Sequence, residues 1–334
     1  MNNNNSTAIK IAIISDELTY SCLNFEFNIS IVNKYNYWFL FKFWKPDFLF
    51  VESAWHGRRN QWKYKIASYP DVPKRSNKDL KKVVECARDF GIPCVFWNKE
   101  DGVHFDRFIA SASLFDTVFT VDENCIPKYR EVLGVNANID VLPFPVQPAI
   151  HNLSKEQMQP KESTCFVGSY SHHVHDQRRV WQDMMFAAAQ PYGLTVYDRN
   201  SERKSKNYRY PNWPWIEVKS SVSNSETADI YRKYLVQFNV NTVTDSPTMY
   251  SRRLVEALAC GSIVVTNPAL SVERYFSDYC EIVHSREECD DVLERIFRGG
   301  GKLERERARA GADYVLREHT WEKRLLQIAQ TIGL

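Results

Sequence analysis

The stretch VQFNVNTVTDSPTMYSRRLVEALACGSIVVTN (residues 236–267) predicts a strand, a turn, a helix and a second strand. Residues 236–243 form a β-branched run, and Ser246 with Pro247 is typical of an N-cap followed by proline at the first helical position. Gly261 predicts the end of the helix, and residues 262–266 supply another apolar strand. The expected unit is therefore a pair of parallel strands joined by a right-handed crossover.

The predicted helix carries different residues on its two faces. At about 100° per residue, an apolar arc is expected to pack on the sheet, and it contains Leu254, Val255, Leu258 and Ala259. The opposite arc is mixed and contains Met249, Arg252, Arg253, Glu256 and Cys260. A face that mixes charge with apolar groups is suited to a cleft.

The charged residues of this helix allow two interpretations. Arg252 and Glu256 are four residues apart, so they could form a surface ion pair of small energetic value. Alternatively, arginines near a helix N-terminus neutralise a nucleotide diphosphate, and a carboxylate one turn later accepts hydrogen bonds from ribose hydroxyls. Spacing alone does not distinguish these alternatives.

Length and composition indicate a globular protein with room for two domains. The chain has 334 residues, of which 44% are hydrophobic and 25% charged. A net charge of +2 argues against a broad nucleic-acid-binding surface, which needs a strong basic excess. We therefore expect no nucleic-acid partner, and any important positive charge is local.

Cysteine usage and the chain start predict a cytoplasmic setting. The eight cysteines include no C-x-x-C pair, so they are expected to be reduced thiols rather than zinc ligands. Residues 1–7 are predicted to be a disordered tail, because the asparagine tract lacks the features of a signal peptide. The aromatic run at residues 37–44 is too short to span a bilayer, which leaves only peripheral association at the inner membrane face open.

Strands and helices alternate along both halves of the chain. In the first half, residues 9–15, 48–53, 92–97, 115–120 and 139–143 are predicted strands. The alternation predicts a parallel, doubly wound sheet. A second series of strands begins at residue 164. Neither G-x-G-x-x-G nor the P-loop pattern occurs, so dinucleotide and P-loop NTPase functions are disfavoured.

Two loops of the first half carry candidate site residues, because loops at strand carboxyl ends form the ligand crevice of open α/β sheets. The first contains Glu52, Trp55 and His56, which are acceptor-side candidates; a capping loop around a packed tryptophan is the alternative. The second contains Glu100, Asp101 and His104, which could supply a general base or hydroxyl acceptors. These acids could instead cap the helix that begins near Phe105.

The second half carries candidates for anion binding. Gly168 and Ser169 form a turn after a predicted strand, and Arg178 and Arg179 lie in the first turn of the next helix. Arginine opposes the helix dipole at that end, so either a bound anion or a surface salt bridge would compensate. Three histidines precede this helix (His172, His173 and His175), and solvated loop side chains are favoured over a metal site.

The pattern breaks at residues 142–148, where three prolines occur, and a polar run follows. We predict an N-terminal Rossmann-like domain at 8–148, a linker at 149–162 and a C-terminal Rossmann-like domain at 163–315. Residues 316–334 are predicted to be a helix that packs back on the N-terminal domain.

Several motifs together resemble the CgeB-like (spore-maturation-type) glycosyltransferases. These are CFVGSYS (165–171), YDRN (197–200), SPTMYSRRLVEALACG (246–261) and EHTWEKR (318–324), with FVESAWHG (50–57) and VFWNKEDGVHFDRF (95–108) in the first half. The resemblance covers most of residues 8–330. It implies the GT-B fold, in which two Rossmann-like domains face each other across a cleft and the last helix crosses back.

The resemblance also implies a metal-independent, retaining glycosyltransferase that uses a nucleotide sugar and no other cofactor. Its C-terminal domain would hold the donor through Gly168, Ser169, Arg178, Arg179, Thr248, Ser251, Arg252, Arg253 and Glu256. Glu256 matches the family glutamate that binds ribose hydroxyls, whereas Thr248 stands where the family has a sugar-contacting glutamate.

Glu100, Asp101 and His104 lie where related enzymes present a loop to the reacting sugar. If the reaction inverts the configuration at the sugar carbon, one of the two acids would be the base. If the reaction retains that configuration, the acids would orient the acceptor or stabilise oxocarbenium charge.

The expected activity is transfer of a sugar to a glycan, lipid-linked or protein acceptor, in bacterial surface polysaccharide and cell-envelope synthesis. Two alternatives stay open. One is a nucleotide-sugar epimerase, and the other is a non-catalytic GT-B subunit that binds glycan or a partner enzyme.

Overall fold

A computed structural model describes residues 9–25, 28–153 and 161–334 of the protein. The chain divides into two compact units, the first comprising Met1–Pro143 with Trp321–Leu334 and the second Phe144–Thr320. The tail predicted at 1–7 lies outside the described residues, as do residues 154–160 of the linker predicted at 149–162.

The first unit contains a six-stranded sheet in the order β2-β1-β3-β4-β5-β6, and every neighbouring pair is parallel. The strands are β1 (Lys10–Ile14), β2 (Asn28–Ile31), β3 (Phe48–Glu52), β4 (Cys94–Asn98), β5 (Thr117–Thr120) and β6 (Asn138–Val141). The central strands are buried along their whole length, as expected for a parallel sheet covered on both faces. The chain reverses its direction of winding between β1 and β3.

Helices connect these strands. They are α1 (Glu17–Leu23), α2 (Tyr37–Phe39), α3 (Lys78–Asp89), α4 (Phe105–Ala112) and α5 (Ile126–Leu133). A turn of π-helix, Leu40–Trp44, directly continues α2. The leucine and valine side chains on the inner face of α3 are fully buried, which fixes this helix on the sheet.

The second unit contains six parallel strands in the order β12-β11-β10-β7-β8-β9. They are β7 (Lys161–Gly168), β8 (Leu194–Asp198), β9 (Ile216–Lys219), β10 (Tyr234–Asn239), β11 (Ile263–Thr266) and β12 (Glu281–Ile282). The first and fourth strands of this unit, β7 and β10, are neighbours, with Val236 opposite Thr164. This is the doubly wound order of Rossmann-type sheets, and it places the topological switch between β7 and β10.

The α-helices among the described residues of this unit are α6 (Asp176–Ala188), α7 (Asn224–Lys233), α8 (Arg252–Ala259), α9 (Leu270–Phe276), α10 (Arg286–Phe297) and α11 (Lys302–Glu318). The predicted crossover from β10 through α8 to β11 is present, and Gly261 follows α8 with a positive φ of 74°. In the described chain, no helix is both long enough and apolar enough to cross a membrane.

The predicted start of the central helix is wrong. Helix α8 begins at Arg252, and its N-cap is Ser251, whose side chain accepts a hydrogen bond from the Leu254 backbone. Ser246 instead accepts from the backbone N–H groups of Thr248 and Met249, so it closes a turn. A serine hydroxyl can serve either purpose, because caps and turns use the same short-range hydrogen bonds.

The last helix, α12 (Trp321–Ile332), belongs to the first unit, whereas residues 316–318 of the predicted helix belong to α11. The Trp321 ring is buried edge-on against Trp97 and Phe50, with ring centroids 5.5 and 6.4 Å apart. The Arg324 Nε donates to the Pro143 carbonyl at 3.0 Å. The chain therefore contributes its two ends to the same unit.

All eight cysteines are free thiols, and all but Cys86 are buried. This agrees with their prediction as reduced, core-packed side chains.

Candidate active site

The switch point of the second unit brings together the carboxyl ends of β7 and β10 and the first turn of α8. Ser251 fixes this arrangement, because its hydroxyl donates to Asn239 Oδ1 at 2.5 Å while it caps the helix. The Ser251 backbone N–H donates to Asn241 Oδ1 at 3.1 Å. Helix α8 is thus tied to the end of β10, and its arginines are presented at the crevice where open α/β sheets bind ligands.

Arg253 bridges the two strands at this crevice. Its Nε donates to the Val167 carbonyl at 2.5 Å, and its Nη1 lies 3.4 Å from Asn239 Oδ1. Its guanidinium lies 4.3 Å from the centroid of the Phe166 ring. Burial is the main cause that lowers the pKa of Arg253, and Arg199 lowers it further.

Gly168 makes this close approach geometrically feasible. A Cβ at this position would lie 2.7 Å from Arg253 Nη2 and 2.6 Å from the Phe166 ring. Both distances are shorter than side-chain contacts allow, so any larger residue would displace the arginine. Gly168 is the last residue of β7 rather than part of the predicted turn, and its lack of a side chain leaves room for the guanidinium.

Arg178 adds a second buried guanidinium. Its Nη2 donates to the Ser169 carbonyl at 3.0 Å, whereas its Nε is buried without a hydrogen-bond partner. Burial lowers the pKa of Arg178 to about 10, and the positive charges of Arg253 and Arg199 lower it further. The side chains that act on Arg178 thus leave an excess of positive charge, which a bound anion would neutralise.

Arg252 and Glu256 are more buried than their predicted cleft-facing arc implies. Arg252 Nη1 is buried without a hydrogen-bond partner, and its guanidinium lies 5.3 Å from the Phe144 ring centroid. Glu256 is only 6% exposed, and it accepts a hydrogen bond from the Tyr231 hydroxyl at 3.3 Å. Helix α7 therefore covers part of the arc that was predicted to suit a cleft, because its Tyr231 contacts Glu256.

The remaining donor-side candidates occupy different environments. Thr248 is buried in the turn before α8. Arg179 pairs with Asp176 at 3.0 Å, so the salt-bridge alternative applies to this arginine. The three loop histidines, His172, His173 and His175, are exposed. No group of three or more His, Cys, Asp or Glu suited to a metal occurs among the described residues.

The sequence prediction missed the asparagines that organise this crevice. Asn239 links β10 to β11 by donating to Thr266 Oγ1 at 2.9 Å, and it also accepts from Ser251. Asn267 Oδ1 accepts from the Asn241 backbone at 2.7 Å. The motif N-V-N at the end of β10 was the available signal, since buried amides at a strand end need partners.

The switch point of the first unit holds a compact cluster of opposite charges, Asp16, Glu52 and Lys99. Lys99 Nζ pairs with both carboxylates, at 3.0 Å from Glu52 Oε1. Glu52 also accepts from the Asp16 backbone N–H at 2.6 Å. Burial raises the pKa of Glu52 to about 7, and Asp16 raises it further, whereas Lys99 lowers it. Only Glu52 was predicted as a site residue; Asp16 and Lys99 were missed.

The second predicted loop separates its three candidates. Asp101 is fully buried and accepts from Asn98 Nδ2 at 2.6 Å and from the Tyr129 hydroxyl at 2.8 Å. Burial raises the pKa of Asp101 to about 7. Glu100 is half-buried. The N-cap position of α4 is His104, and no side chain caps the helix in the described structure, so the capping alternative is wrong.

Aromatic contacts connect the two predicted loops of the first unit. Trp55 lies edge-on to the His104 ring at 5.2 Å and to Phe108 at 5.1 Å. His56, by contrast, is exposed. The structure therefore brings Trp55 and His104 together and leaves His56 apart from them.

Comparison with known proteins supports the assignment of the fold. Residues 179–330 match a family described as glycosyl transferase-like. HepE from Anabaena in complex with UDP-glucose is similar in structure, with a TM-score of 0.62 and 10% identity over 97% of this chain and 99% of HepE. The T4 phage enzyme BGT in complex with UDP and Mn²⁺ has a TM-score of 0.57 and 12% identity, over 98% of this chain and all of BGT.

A third similar structure is sucrose-phosphate synthase from Thermosynechococcus elongatus. Its TM-score is 0.56 and its identity 12%, over 92% of this chain and 80% of that enzyme. No curated protein sequence matches the chain. The protein thus has the two-domain α/β fold of GT-B glycosyltransferases, which confirms the predicted fold class.

Proposed function

We propose that the protein is a glycosyltransferase that takes a sugar from a nucleotide-diphosphate donor and transfers it to a hydroxyl acceptor. The carrying observation is the pair of buried guanidinium groups of Arg178 and Arg253 at the switch point of the second unit. Burial and the charge of Arg253 both lower the pKa of Arg178, so its charged form is costly in the ligand-free protein. A diphosphate would recover that cost and accept charge-assisted hydrogen bonds.

The chemistry follows from this placement. The bond between the sugar C1 and the diphosphate oxygen breaks, a bond from C1 to the acceptor oxygen forms, and the acceptor proton passes to a base. Arg178 and Arg253 would stabilise the negative charge that develops on the leaving diphosphate. Glu256, whose carboxylate is held by Tyr231, would accept from the ribose hydroxyls.

The acceptor side of the proposal rests on the first unit. Among the acids of the second loop, exposure favours Glu100 over the buried Asp101 for direct contact with an acceptor. His104 and Trp55 form a contacting pair beside it, at 5.2 Å. If the reaction inverts, Glu100 would take the acceptor proton; if it retains, Glu100 would orient the acceptor.

We further propose a metal-independent reaction and an acceptor used in bacterial surface polysaccharide synthesis, with the donor supplied in the cytoplasm. The guanidinium groups support metal independence, because they supply the charge that a cation would otherwise provide. Similar structures include a sucrose-phosphate synthase and a DNA-modifying β-glucosyltransferase, so the fold alone does not select an acceptor.

The first test is a thermal-shift screen with nucleoside diphosphates, their sugar conjugates, the bare nucleosides and inorganic pyrophosphate. Ligands that bind the native state raise the melting temperature by mass action. We expect diphosphates to stabilise the protein and bare nucleosides to stabilise it less. UDP and UDP-glucose are the first ligands to test, because HepE and BGT bind UDP.

The second test measures turnover of the best donor with and without EDTA. Transfer or slow hydrolysis that persists in EDTA supports the proposal. Isomerised donor formed without any acceptor would indicate an epimerase. Diphosphate binding with neither hydrolysis nor transfer would indicate a non-catalytic subunit.

A further inference from the structure

The first unit exposes three aromatic rings side by side on α2 and the π turn after it. Trp38 is 42% exposed, Phe39 62% and Phe43 68%. Single exposed apolar residues are ordinary, but a contiguous group on a surface helix marks an interaction site. We call Trp38, Phe39 and Phe43 the aromatic patch.

The rings of the aromatic patch contact one another rather than the core. The centroid of Trp38 lies 5.1 Å from that of Phe39 and 6.3 Å from that of Phe43. Phe39 and Phe43 stack at 6.1 Å with an interplanar angle of 21°. The three side chains therefore form one continuous apolar surface.

The other face of the same segment anchors it to the unit. Leu40 and Phe41 are buried in the core, and Tyr37 and Trp44 pack against it. The π turn keeps residues 38, 39, 42 and 43 on the outer side and residues 40 and 41 on the inner side. The aromatic patch is thus presented on a fixed support.

One positive charge lies against the aromatic patch, and two further lysines belong to the same stretch of chain, which the exposed Asp47 follows. The Lys42 ammonium lies 4.5 Å from the Trp38 ring centroid and 5.5 Å from that of Phe43. Residues 28–46 contain three lysines, Lys34, Lys42 and Lys45, and no Asp or Glu. All three lysines are exposed.

We propose that this face docks the protein reversibly on a membrane surface that carries anionic lipid headgroups. Tryptophan and phenylalanine side chains insert at the boundary between headgroups and acyl chains, and lysines around them attract anionic lipid. A second copy of the chain fits the patch less well, because a symmetric contact would bring the lysines of both copies together. The proposal does not depend on glycosyl transfer.

The test is co-sedimentation of the full chain with phosphatidylglycerol–phosphatidylcholine vesicles and with pure phosphatidylcholine vesicles, without donor or acceptor. We expect binding to the anionic vesicles that weakens as salt increases, because surface charge is screened. Pure phosphatidylcholine should bind at least about ten-fold more weakly, since each lysine near an anionic surface contributes about five-fold.

Two sets of variants locate the contact. The triple change W38S/F39S/F43S should weaken binding about ten-fold or more, because it removes the inserted apolar area. K34E/K45E should weaken binding without altering the rings. The matched control K204E/K302E changes the same net charge at exposed lysines of the second unit, and it should bind nearly as wild type. Near-ultraviolet circular dichroism checks that each variant is folded.

The proposal fails if the wild type binds neither vesicle, or binds both equally. It also fails if K34E/K45E and K204E/K302E lose the same affinity, since the charge would then act without regard to position. If gel filtration shows a dimer that the triple variant abolishes while vesicle binding is absent, the patch is a self-association surface instead.

Discussion

The two switch points of this protein occupy equivalent topological places and carry opposite electrostatic designs. In the first unit, Lys99 lies between Asp16 and Glu52 and offsets one of the two carboxylate charges. In the second unit, burial lowers the pKa of Arg178 to about 10, and the positive charges of Arg253 and Arg199 lower it further. The first cluster thus contains its own counter-charge, whereas the side chain that acts most strongly on Arg178, Arg253, is positive too.

The local structure around each cluster determines where its charged side chains lie. Gly168 has no side chain, which permits Arg253 to approach the end of β7. In the first unit, the Ser53 hydroxyl accepts from the Lys99 backbone at 2.9 Å, which fixes the lysine beside the acids. Both clusters lie at the carboxyl ends of strands. In the second unit, the Arg178 Nε–H group is buried without a hydrogen-bond acceptor.

The largest expected effect is that of Arg253→Ala on diphosphate binding. Losing one partner of a buried, hydrogen-bonded charge pair costs about 2–5 kcal/mol, so affinity for a nucleoside diphosphate should fall roughly 30-fold or more. Affinity for the bare nucleoside should change much less. Titration calorimetry of both ligands measures the difference, with Arg298→Ala as a control in an exposed ion pair. Equal losses for both ligands would make Arg253 merely structural.

The next effect tests the cluster of Asp16, Glu52 and Lys99 through the change Glu52→Gln. The pKa of Glu52 is raised from its ordinary 4.5 to about 7, so the folded state binds a proton more tightly than the unfolded state. The free energy of unfolding should therefore fall as pH rises from about 4.5 to about 7, by roughly 3 kcal/mol at most at about 1.4 kcal/mol per pKa unit. The variant should lose this slope.

Urea denaturation of wild type and Glu52→Gln between pH 5 and 8, in about half-unit steps, measures this slope. Asp79→Asn is the matched control. The pKa of Asp79 is lowered by its hydrogen bond to Lys65, so its contribution is lost only below the usual carboxylate range. An unchanged slope in Glu52→Gln would refute the assignment of this titration to Glu52.

A smaller effect is expected for Glu256→Gln, which keeps the size of the side chain beside Tyr231. If the carboxylate accepts from ribose hydroxyls, affinity for the nucleoside diphosphate should fall about ten-fold, in the range of hydrogen bonds to a charged group. Affinity for inorganic pyrophosphate should be unchanged. A loss for pyrophosphate of the same size would mean that Glu256 acts by positioning the arginines.

The smallest effect distinguishes the two neighbouring acids of the first unit. Asp101→Asn should lower the free energy of unfolding by about 1 kcal/mol, because one of two buried hydrogen bonds to Asn98 and Tyr129 loses its acceptor. Glu100→Gln should leave stability unchanged but reduce turnover. If instead Asp101→Asn abolishes turnover at full stability, the catalytic assignment passes to Asp101.

Local patterns predicted most of the secondary structure, but not the start of α8. Both Ser246 and Ser251 have the chemistry of an N-cap. The choice depends on Asn239, twelve residues from Ser251, and on the buried Tyr250, whose hydroxyl donates to the Phe144 carbonyl at 2.9 Å. Because these partners are distant in sequence, helical periodicity could not identify them.

Burial of charged side chains was equally hard to predict. The helical wheel placed Glu256 on a mixed face, but it is buried beside Tyr231 of α7. Asp101 was predicted as a catalytic acid from its position after a strand, yet it is held inside by Tyr129. A helical wheel or a strand end predicts which way a side chain points. Whether that side chain reaches solvent depends on the elements that pack around it.

By itself, the sequence determined the alternation of strands and helices and the parallel sheets, because these follow from local hydrophobic periodicity and from short-range capping. The return of the last helix was predicted from the family resemblance, and Arg253 and Gly168 were singled out as candidate site residues. Only the tertiary structure decided that Arg178 and Arg253 share one crevice while Lys99 pairs with both Asp16 and Glu52. Electrostatic pairing depends on distances between residues far apart in the chain, and those distances exist only once the strands have been ordered into sheets.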